Sequence, residues 1–381
     1  MVDFQLTPEQ EAIRELAHKF AMNEIRPVAW ELDREGTFPR ELLKKAFDAG
    51  LMNANIPEEY GGGGLGVLEE VIVAEEIAYG CSGVATVLLT NNLGTTPVLV
   101  AGSEEQRRRI LVPLCERRQI MPFCVTEPDA GSDVSAISTL AKDKGDYYLL
   151  TGNKTFITCG GVADLYSVLA TTDRSRGYKG MVMLVVYRDW KGVSVGKKED
   201  KLGNRCSDTA QVIFEDVEVP KDYRLGAEGE GFKIAMMTLD KFRPIIAAIS
   251  VGIARAALEF AIDYAKRRIQ FGKPIAEQPV VANMLANMAM DIEAARLLTY
   301  KSAWMLDRGL KPTLLSATAK CFASDVAMRV TTDAVQIYGG YGYSKEYPVE
   351  KLMRDAKLMQ IFEGTNEIQR LVISREILRE R

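Results

Sequence analysis

The stretch Ile361-Phe-Glu-Gly-Thr-Asn-Glu-Ile-Gln-Arg370 sets a single carboxylate, Glu363, behind two apolar residues and directly before a glycine. Gly364 lets the chain turn sharply, because a residue without Cβ adopts left-handed dihedrals at no steric cost. After the turn Thr365 and Asn366 offer helix N-cap oxygens, and Gln369 stands three residues beyond Asn366, as in a capping box. The sequence predicts a helix continuing with Ile368, Leu371, Val372 and Leu378 as its apolar positions. A carboxylate fixed against Ile361 and Phe362 is poorly solvated, which raises its pKa and makes it a stronger proton acceptor than a surface Glu. The same pattern also describes an ordinary turn carboxylate before a well-capped terminal helix, so the rest of the chain has to decide between them.

Working outward, helical periodicity covers the stretches 311–338, 277–308 and 232–268. On the first of these Ala317, Cys321, Val326, Val330 and Ala334 form a face made partly of small residues, suited to close helix packing. Upstream of 232 the period changes. The runs Tyr147–Thr151, Leu165–Ala170, Met181–Tyr187, Val193–Val195 and Gln211–Phe214 are short, rich in strand formers and separated by turn residues such as Asp146, Gly152 and Gly180, as in a β domain. Before Met121 helices return, beginning where Thr7-Pro8-Glu9-Gln10 caps a run with Ile13, Leu16, Ala17 and Phe20 on one face. The expected organisation is α+β: a helical domain over 1–121, a β domain over 122–231 and a helical bundle over 232–381, with both helical blocks packed together. Gly61-Gly-Gly-Gly-Leu-Gly66 matches G-x-G-x-x-G, but no strand precedes it and no acid follows about 20 residues on, so it reads as a turn.

Composition narrows the function. The 381 residues carry 48 basic and 52 acidic side chains with no long single-sign block, so neither nucleic acid nor an anionic membrane is an expected partner. No membrane insertion is expected either, since no run of roughly 18 apolar residues stands out. The six cysteines are scattered without a Cys-x-x-Cys pair, which reads as reduced thiols rather than a disulfide frame or zinc site. With His18 the only histidine, expected on a solvated helix face, Ser-His-Asp hydrolysis and multi-histidine metal chemistry are disfavoured, and no metal ligands are assigned. The N-terminal Met1–Thr7 lacks a basic stretch followed by an apolar one, so the expected location is cytoplasmic.

Four further segments combine glycines, small hydroxyls and cations. They are Phe123-Cys-Val-Thr-Glu-Pro-Asp-Ala-Gly-Ser-Asp133, Phe156-Ile-Thr-Cys-Gly-Gly161, Arg267-Arg-Ile-Gln-Phe-Gly-Lys273 and Gln336-Ile-Tyr-Gly-Gly-Tyr-Gly342. Each alone also fits a β-turn, a strand with a glycine break, a charged C-cap or a helix stop. Read together with Ile361–Arg370, and with Arg205-Cys-Ser-Asp-Thr209, Phe214-Glu-Asp-Val-Glu-Val-Pro220 and Tyr347-Pro-Val-Glu-Lys-Leu-Met-Arg-Asp355, they resemble the acyl-CoA dehydrogenase family, closest to its medium-chain and short-chain members. The resemblance spans essentially the whole chain in order.

That resemblance implies an N-terminal helical domain, a middle β-barrel-like domain, a C-terminal four-helix bundle, non-covalent FAD and a homotetramer. By position, Glu363 is the base that takes the α-proton of an acyl-CoA thioester while flavin N5 takes the β-hydride. The thioester oxygen is held by the Glu363 N–H and a ribityl hydroxyl. Phe123, Val125, Thr126, Ser132, Phe156 and Thr158 match flavin-lining positions, Phe156 standing where many relatives have Trp. Arg268, Gln270 and Phe271, with Gln336, Gly339 and Gly340, match contacts to a neighbouring subunit's FAD, and Thr365 and Glu367 match positions near the adenosine half. Ser132, Asp240, Arg243 and Gly364 match substrate-contacting positions, with Phe242 replacing a Thr of medium-chain relatives. Leu89, Thr90 and Asn91 match the far wall of the acyl cavity, where medium-chain relatives carry Glu-Gly opposite Leu89-Thr90. Their bulk and polarity suggest a short acyl group or a six-membered alicyclic carboxyl-CoA, with an acid at the position of Asn91 able to serve as a second base on a ring. An electron-transferring flavoprotein is the expected electron acceptor. The alternatives are an acyl-CoA oxidase, whose longer C-terminal extension is not matched by a chain stopping at Arg381, and a non-catalytic CoA- or flavin-binding protein, against which the presence of Glu363 speaks.

Overall fold

Thr7 caps the first helix as the sequence predicts: its hydroxyl accepts from the Gln10 N–H, and the Gln10 side chain accepts from the Thr7 N–H. The computed structural model describes residues 5–311 and 313–379. A helical block comes first, with α1 (Pro8–Phe20), α2 (Ala29–Glu35), α3 (Arg40–Asp48), α4 (Val67–Gly80), α5 (Ser82–Leu88), α6 (Thr90–Ala101) and α7 (Glu104–Glu116). Strands follow: β1 (Phe123–Cys124), β2 (Leu140–Asp143), β3 (Tyr147–Thr158), β4 (Leu165–Thr171), β5 (Met181–Tyr187), β6 (Val193–Lys198), β7 (Thr209–Pro220) and β8 (Arg224–Leu225). The chain then returns to helix in α8 (Gly231–Arg267), passes the short hairpin β9 (Ile269–Gln270) and β10 (Lys273–Pro274), and continues through α9 (Pro279–Asp307), α10 (Thr313–Tyr338), α11 (Val349–Met359) and α12 (Asn366–Leu378).

The sheet runs in the order β6-β7-β3-β2-β4-β5-β8, with β1 beside β4. Its pairings are antiparallel except β1 with β4 and β2 with β4. Strands β4 and β5 are buried almost throughout, which explains why Leu165–Ala170 and Met181–Val186 show so little polar alternation. Strand β3 sends Tyr148, Leu150 and Lys154 inward and then breaks register with β7 between Lys154 and Ile157. That bulge reaims the end of the strand.

Helices from both ends of the chain share one core, because α4 packs on α8 and α9 while α10 packs on α8, α9, α11 and α12. Small residues permit the close approach. A Cβ added at Gly252 of α8 would collide with the Glu75 carbonyl oxygen of α4, and one at Gly94 of α6 with the Met121 carbonyl oxygen. Buried charge ties the blocks together as well. The Asp355 carboxylate of α11 accepts from Lys351 Nζ (2.6 Å), Ser82 Oγ of α5 (2.8 Å) and the Asn204 N–H (2.6 Å). Such an ion pair persists in the interior because its remaining lone pairs are satisfied.

Four expectations are corrected. Ser82–Ala101 and Gly231–Arg267 are long and apolar enough to cross a membrane, but 83% and 72% of their most apolar windows are buried, so their hydrophobicity serves the core. His18 is no freely solvated residue: its Nδ1 lies 2.9 Å from Glu76 and its ring stacks on Tyr79. At the last helix Thr365 alone is the cap, accepting from the Ile368 N–H, while Asn366 and Gln369 turn inward. The anticipated apolar positions Leu371 and Leu378 of α12 are exposed. Gly61–Gly66, by contrast, is the turn anticipated: it follows a short helical turn at Glu58–Tyr60, and Gly63 and Gly64 donate to the Asn53 and Ile56 carbonyls.

Candidate active site

The Glu363 turn is built from two consecutive left-handed residues, Glu363 (φ 53°) and Gly364 (φ 86°). A non-glycine residue in that region is strained and persists only where its surroundings hold it. Here they do. The N–H groups of Ile361 and Phe362 both return to the Leu358 carbonyl, ending α11. Gln369 Nε2 reaches back from α12 to the carbonyls of Glu363 (3.3 Å) and Gly364 (3.1 Å). From α10, Lys320 Nζ donates to the Gly364 carbonyl (2.7 Å) and to Asn366 Oδ1 (3.0 Å). Asn366 in turn donates to Ser324 Oγ (2.9 Å) and Asp325 Oδ1 (2.7 Å). The Glu363 N–H has no acceptor among the described residues.

Burial pushes the Glu363 carboxyl up to about 7, against the pull of the Lys320 ammonium and the Arg243 guanidinium. The residue keeps part of its surface exposed, so it is a desolvated yet accessible proton acceptor. Arg243 of α8 is itself buried and pairs with Asp240, whose other carboxylate oxygen accepts from Thr313 Oγ1 (3.1 Å). Of Asp240 and Arg243, expected from the sequence to contact substrate, Arg243 is close enough for its charge to act on the Glu363 carboxylate.

On the sheet side, two of the anticipated segments lie next to each other. The Thr155 N–H donates to the Thr126 carbonyl (2.9 Å), which sets Val125-Thr126 beside the β3 bulge. Phe156 there is left-handed (φ 56°) and 62% exposed, an aromatic face held off the sheet in strained backbone. Beneath them Lys154 Nζ donates to the Val125 carbonyl (2.9 Å) and pairs with Glu127 (2.7 Å), both side chains being buried. Burial raises the Glu127 carboxyl, but Lys154 and hydrogen bonds from Thr139 and Ser138 more than offset this and hold it down to about 2. Phe123 lies on β1, Thr158 closes β3, and Ser132 is exposed on the connecting loop.

A third group gathers elsewhere. Arg268, Gln270, Gly339 and Gly340 line one cleft of about 520 Å³, with the Arg268 guanidinium 5.5 Å from the centre of the Tyr341 ring. Gln336 is exposed one turn earlier on α10, and Phe271, 95% exposed, tips the neighbouring hairpin. A Cβ at Gly339 or Gly340 would meet nothing within 4 Å. An open glycine cradle beside a cation and an aromatic ring fits a nucleotide cofactor. This cleft lies at the far end of α10 from Lys320, roughly 28 Å away at 1.5 Å per residue. Glu367 is exposed in the first turn of α12, beside its cap Thr365.

Family models for the acyl-CoA dehydrogenase N-terminal, middle and C-terminal domains match residues 7–118, 122–217 and 229–378. The chain belongs to the acyl-CoA dehydrogenase family. As a member of it, the protein is an FAD-dependent oxidoreductase acting on acyl-CoA. It is 46% identical over 380 residues to a short-chain specific acyl-CoA dehydrogenase of Clostridium acetobutylicum, covering 99% of this chain and 100% of that one. The solved butyryl-CoA dehydrogenase of Megasphaera elsdenii superposes with a TM-score of 0.97 at 46% identity, over 99% of this chain and 100% of that one. A chain solved in work on the electron transferring flavoprotein of Acidaminococcus fermentans does so with the same score and identity over 100% of both.

In this acyl-CoA dehydrogenase, the anticipated acyl-wall residues divide. Leu89 is buried between α5 and α6, and the Thr90 hydroxyl lies against the Cys159 thiol at the end of β3. Asn91 is corrected: it is fully buried, donates to Asn53 Oδ1 (2.8 Å) and the Gln119 carbonyl (2.9 Å), and accepts from the Met121 N–H (2.9 Å). Its amide is committed to joining α6 to the start of the sheet, with both its nitrogen and its oxygen bonded within the protein. Lys320 and the Lys154–Glu127 pair went unnoticed in the sequence. The available signals were a lysine amid the small-residue face of α10 and one at inward parity on β3.

Proposed function

We propose that the protein dehydrogenates a short acyl-CoA thioester between Cα and Cβ, with Glu363 as the base. The observation that carries this reading is the Glu363 turn: a carboxylate with its pKa raised to about 7, held by Lys320 and Gln369, with its own N–H free. The α-proton passes to the carboxylate. The free N–H is the donor that the chain offers to the thioester oxygen, where negative charge develops as the α-proton leaves. Bound FAD supplies the two-electron acceptor for the β-hydride. Arg243 and Asp240 orient the CoA thioester beside the base, while Val125, Thr126 and Phe156 hold the flavin ring.

The separation of the Gly339–Gly340 cleft from Glu363 supports a homotetramer in which Arg268, Gln270 and Phe271 complete a neighbour's FAD site. Exposed Leu371, Ile377 and Leu378 on α12 and Val280, Met290 and Leu297 on α9 supply apolar surface for such contacts. The likeness to a chain solved in work on an electron transferring flavoprotein supports a flavoprotein of that kind as electron acceptor, rather than O2. A short acyl group is favoured by the buried Leu89 and by the 46% identical relatives, one named short-chain specific and one a butyryl-CoA dehydrogenase. The deciding experiment compares kcat/KM for butyryl-, octanoyl- and cyclohexanecarboxyl-CoA. Butyryl-CoA is expected to lead, with the compact ring ahead of octanoyl-CoA; a clear octanoyl preference would overturn the short-chain assignment.

A further inference from the structure

Lys320 is a fully buried lysine on α10, a position where a cation is expensive unless the protein uses it. It lies beneath the Glu363 turn and makes two hydrogen bonds, to the Gly364 carbonyl and to Asn366 Oδ1. We propose that Lys320 is a positioning residue for the base: its ammonium clamps the Gly364 peptide and Asn366, and so fixes where the Glu363 carboxylate and N–H point. The inference rests on the reading of Glu363 as the base.

Three observations converge on this role. Glu363 and Gly364 are both left-handed, so the turn needs external restraint, and among the described residues only Lys320 and Gln369 grip their carbonyls. Asn366, which shares the ammonium, is buried and tied to Ser324 and Asp325, so the clamp is anchored to α10 on both sides. The ammonium also acts through space. Burial lowers Lys320 to about 8, while its charge is one of two cations, with Arg243 of α8, that draw Glu363 back towards ionisation. The other titratable groups facing Lys320 are Cys321 and Asp325 on its own helix. A structural lysine elsewhere in the bundle would touch neither the direction nor the charge of the base.

The test follows FAD reduction by butyryl-CoA against pH in the holoenzyme, for wild type, Lys320→Met, Lys320→Gln and Glu363→Gln. Lys320→Met removes clamp and charge. Its reduction rate is expected to fall about 10- to 100-fold, the scale of a small misplacement of a reacting group, with KM within twofold. Its acid limb is expected to rise by about one pH unit, since losing a nearby cation makes the carboxylate harder to ionise. Lys320→Gln keeps a donor for the Gly364 carbonyl without the charge, so it should recover most of the rate above the limb while the limb stays raised. An acid limb at the wild-type position in either variant overturns the proposal, as does an undiminished rate in Lys320→Met. Should Lys320→Met fail to fold, the Lys320→Gln limb decides alone. If Glu363→Gln reduces FAD as fast as wild type, it is the base assignment that has failed; if Glu363→Gln is dead and Lys320 variants are normal, only the positioning inference has.

Discussion

Replacing Glu363 by Gln keeps the volume of the side chain and removes its ability to accept a proton. FAD reduction by acyl-CoA should then drop by about 100- to 10,000-fold, the usual worth of a general base. FAD content and acyl-CoA binding should stay as they are; near-normal reduction would put the base on another residue. The pH dependence follows from the same carboxyl. It works only when ionised, and burial holds it at about 7, so kcat/KM should fall as pH drops through 7. A profile flat from pH 6 to 9 would contradict that. The sign for stability is opposite: a carboxyl whose folded pKa is raised stabilises the fold when protonated and loses that contribution as pH rises. Glu363→Gln should therefore be no less stable than wild type at pH 8, as thermal unfolding would show. At this scale Glu363 was legible because a Glu-Gly pair behind apolar residues is a local signal. Lys320 and Asn91 were not, since a lysine on a helix and an asparagine near a supposed cavity reveal their partners only once distant segments meet.

The β3 bulge and the loop after β1 stand or fall as one element, joined through Lys154 and Glu127. Lys154→Met would leave the Glu127 carboxylate buried without its cation, at a cost of about 3–5 kcal/mol. The variant is expected to unfold at clearly lower urea and to lose FAD more readily; unchanged urea midpoints would show the pair to be dispensable. Because Glu127 is held down to about 2 in the folded protein, its contribution is present above its unfolded pKa near 4.5 and is lost as pH falls from there towards 2. The gap between wild type and variant should narrow across that window. The runs of strand formers and the long amphipathic stretches of 232–338 were readable as elements, because periodicity is carried by neighbours in sequence. The strand order was not, and neither was the burial of Ser82–Ala101, whose apolar content fits a core helix as well as a membrane helix.

For the whole molecule, the purified protein should be yellow, hold about one FAD per chain and behave as a tetramer by light scattering. A monomer that binds FAD tightly and turns over would remove the need for a neighbour's Arg268, Gln270 and Phe271. The sequence by itself determined the order helical, β, helical, the Glu363 turn and, through motifs kept in register over the whole chain, the family. These are properties of spacing and residue type, which survive unfolding. Only the tertiary structure decided that Asn91 serves the fold, that α12 leaves apolar residues exposed, and that Lys320 and Arg243 flank Glu363. Those depend on which distant side chains are brought within a few ångströms of one another, and it is burial rather than any local pattern that raises the carboxyl of Glu363, like that of Glu70, to about 7.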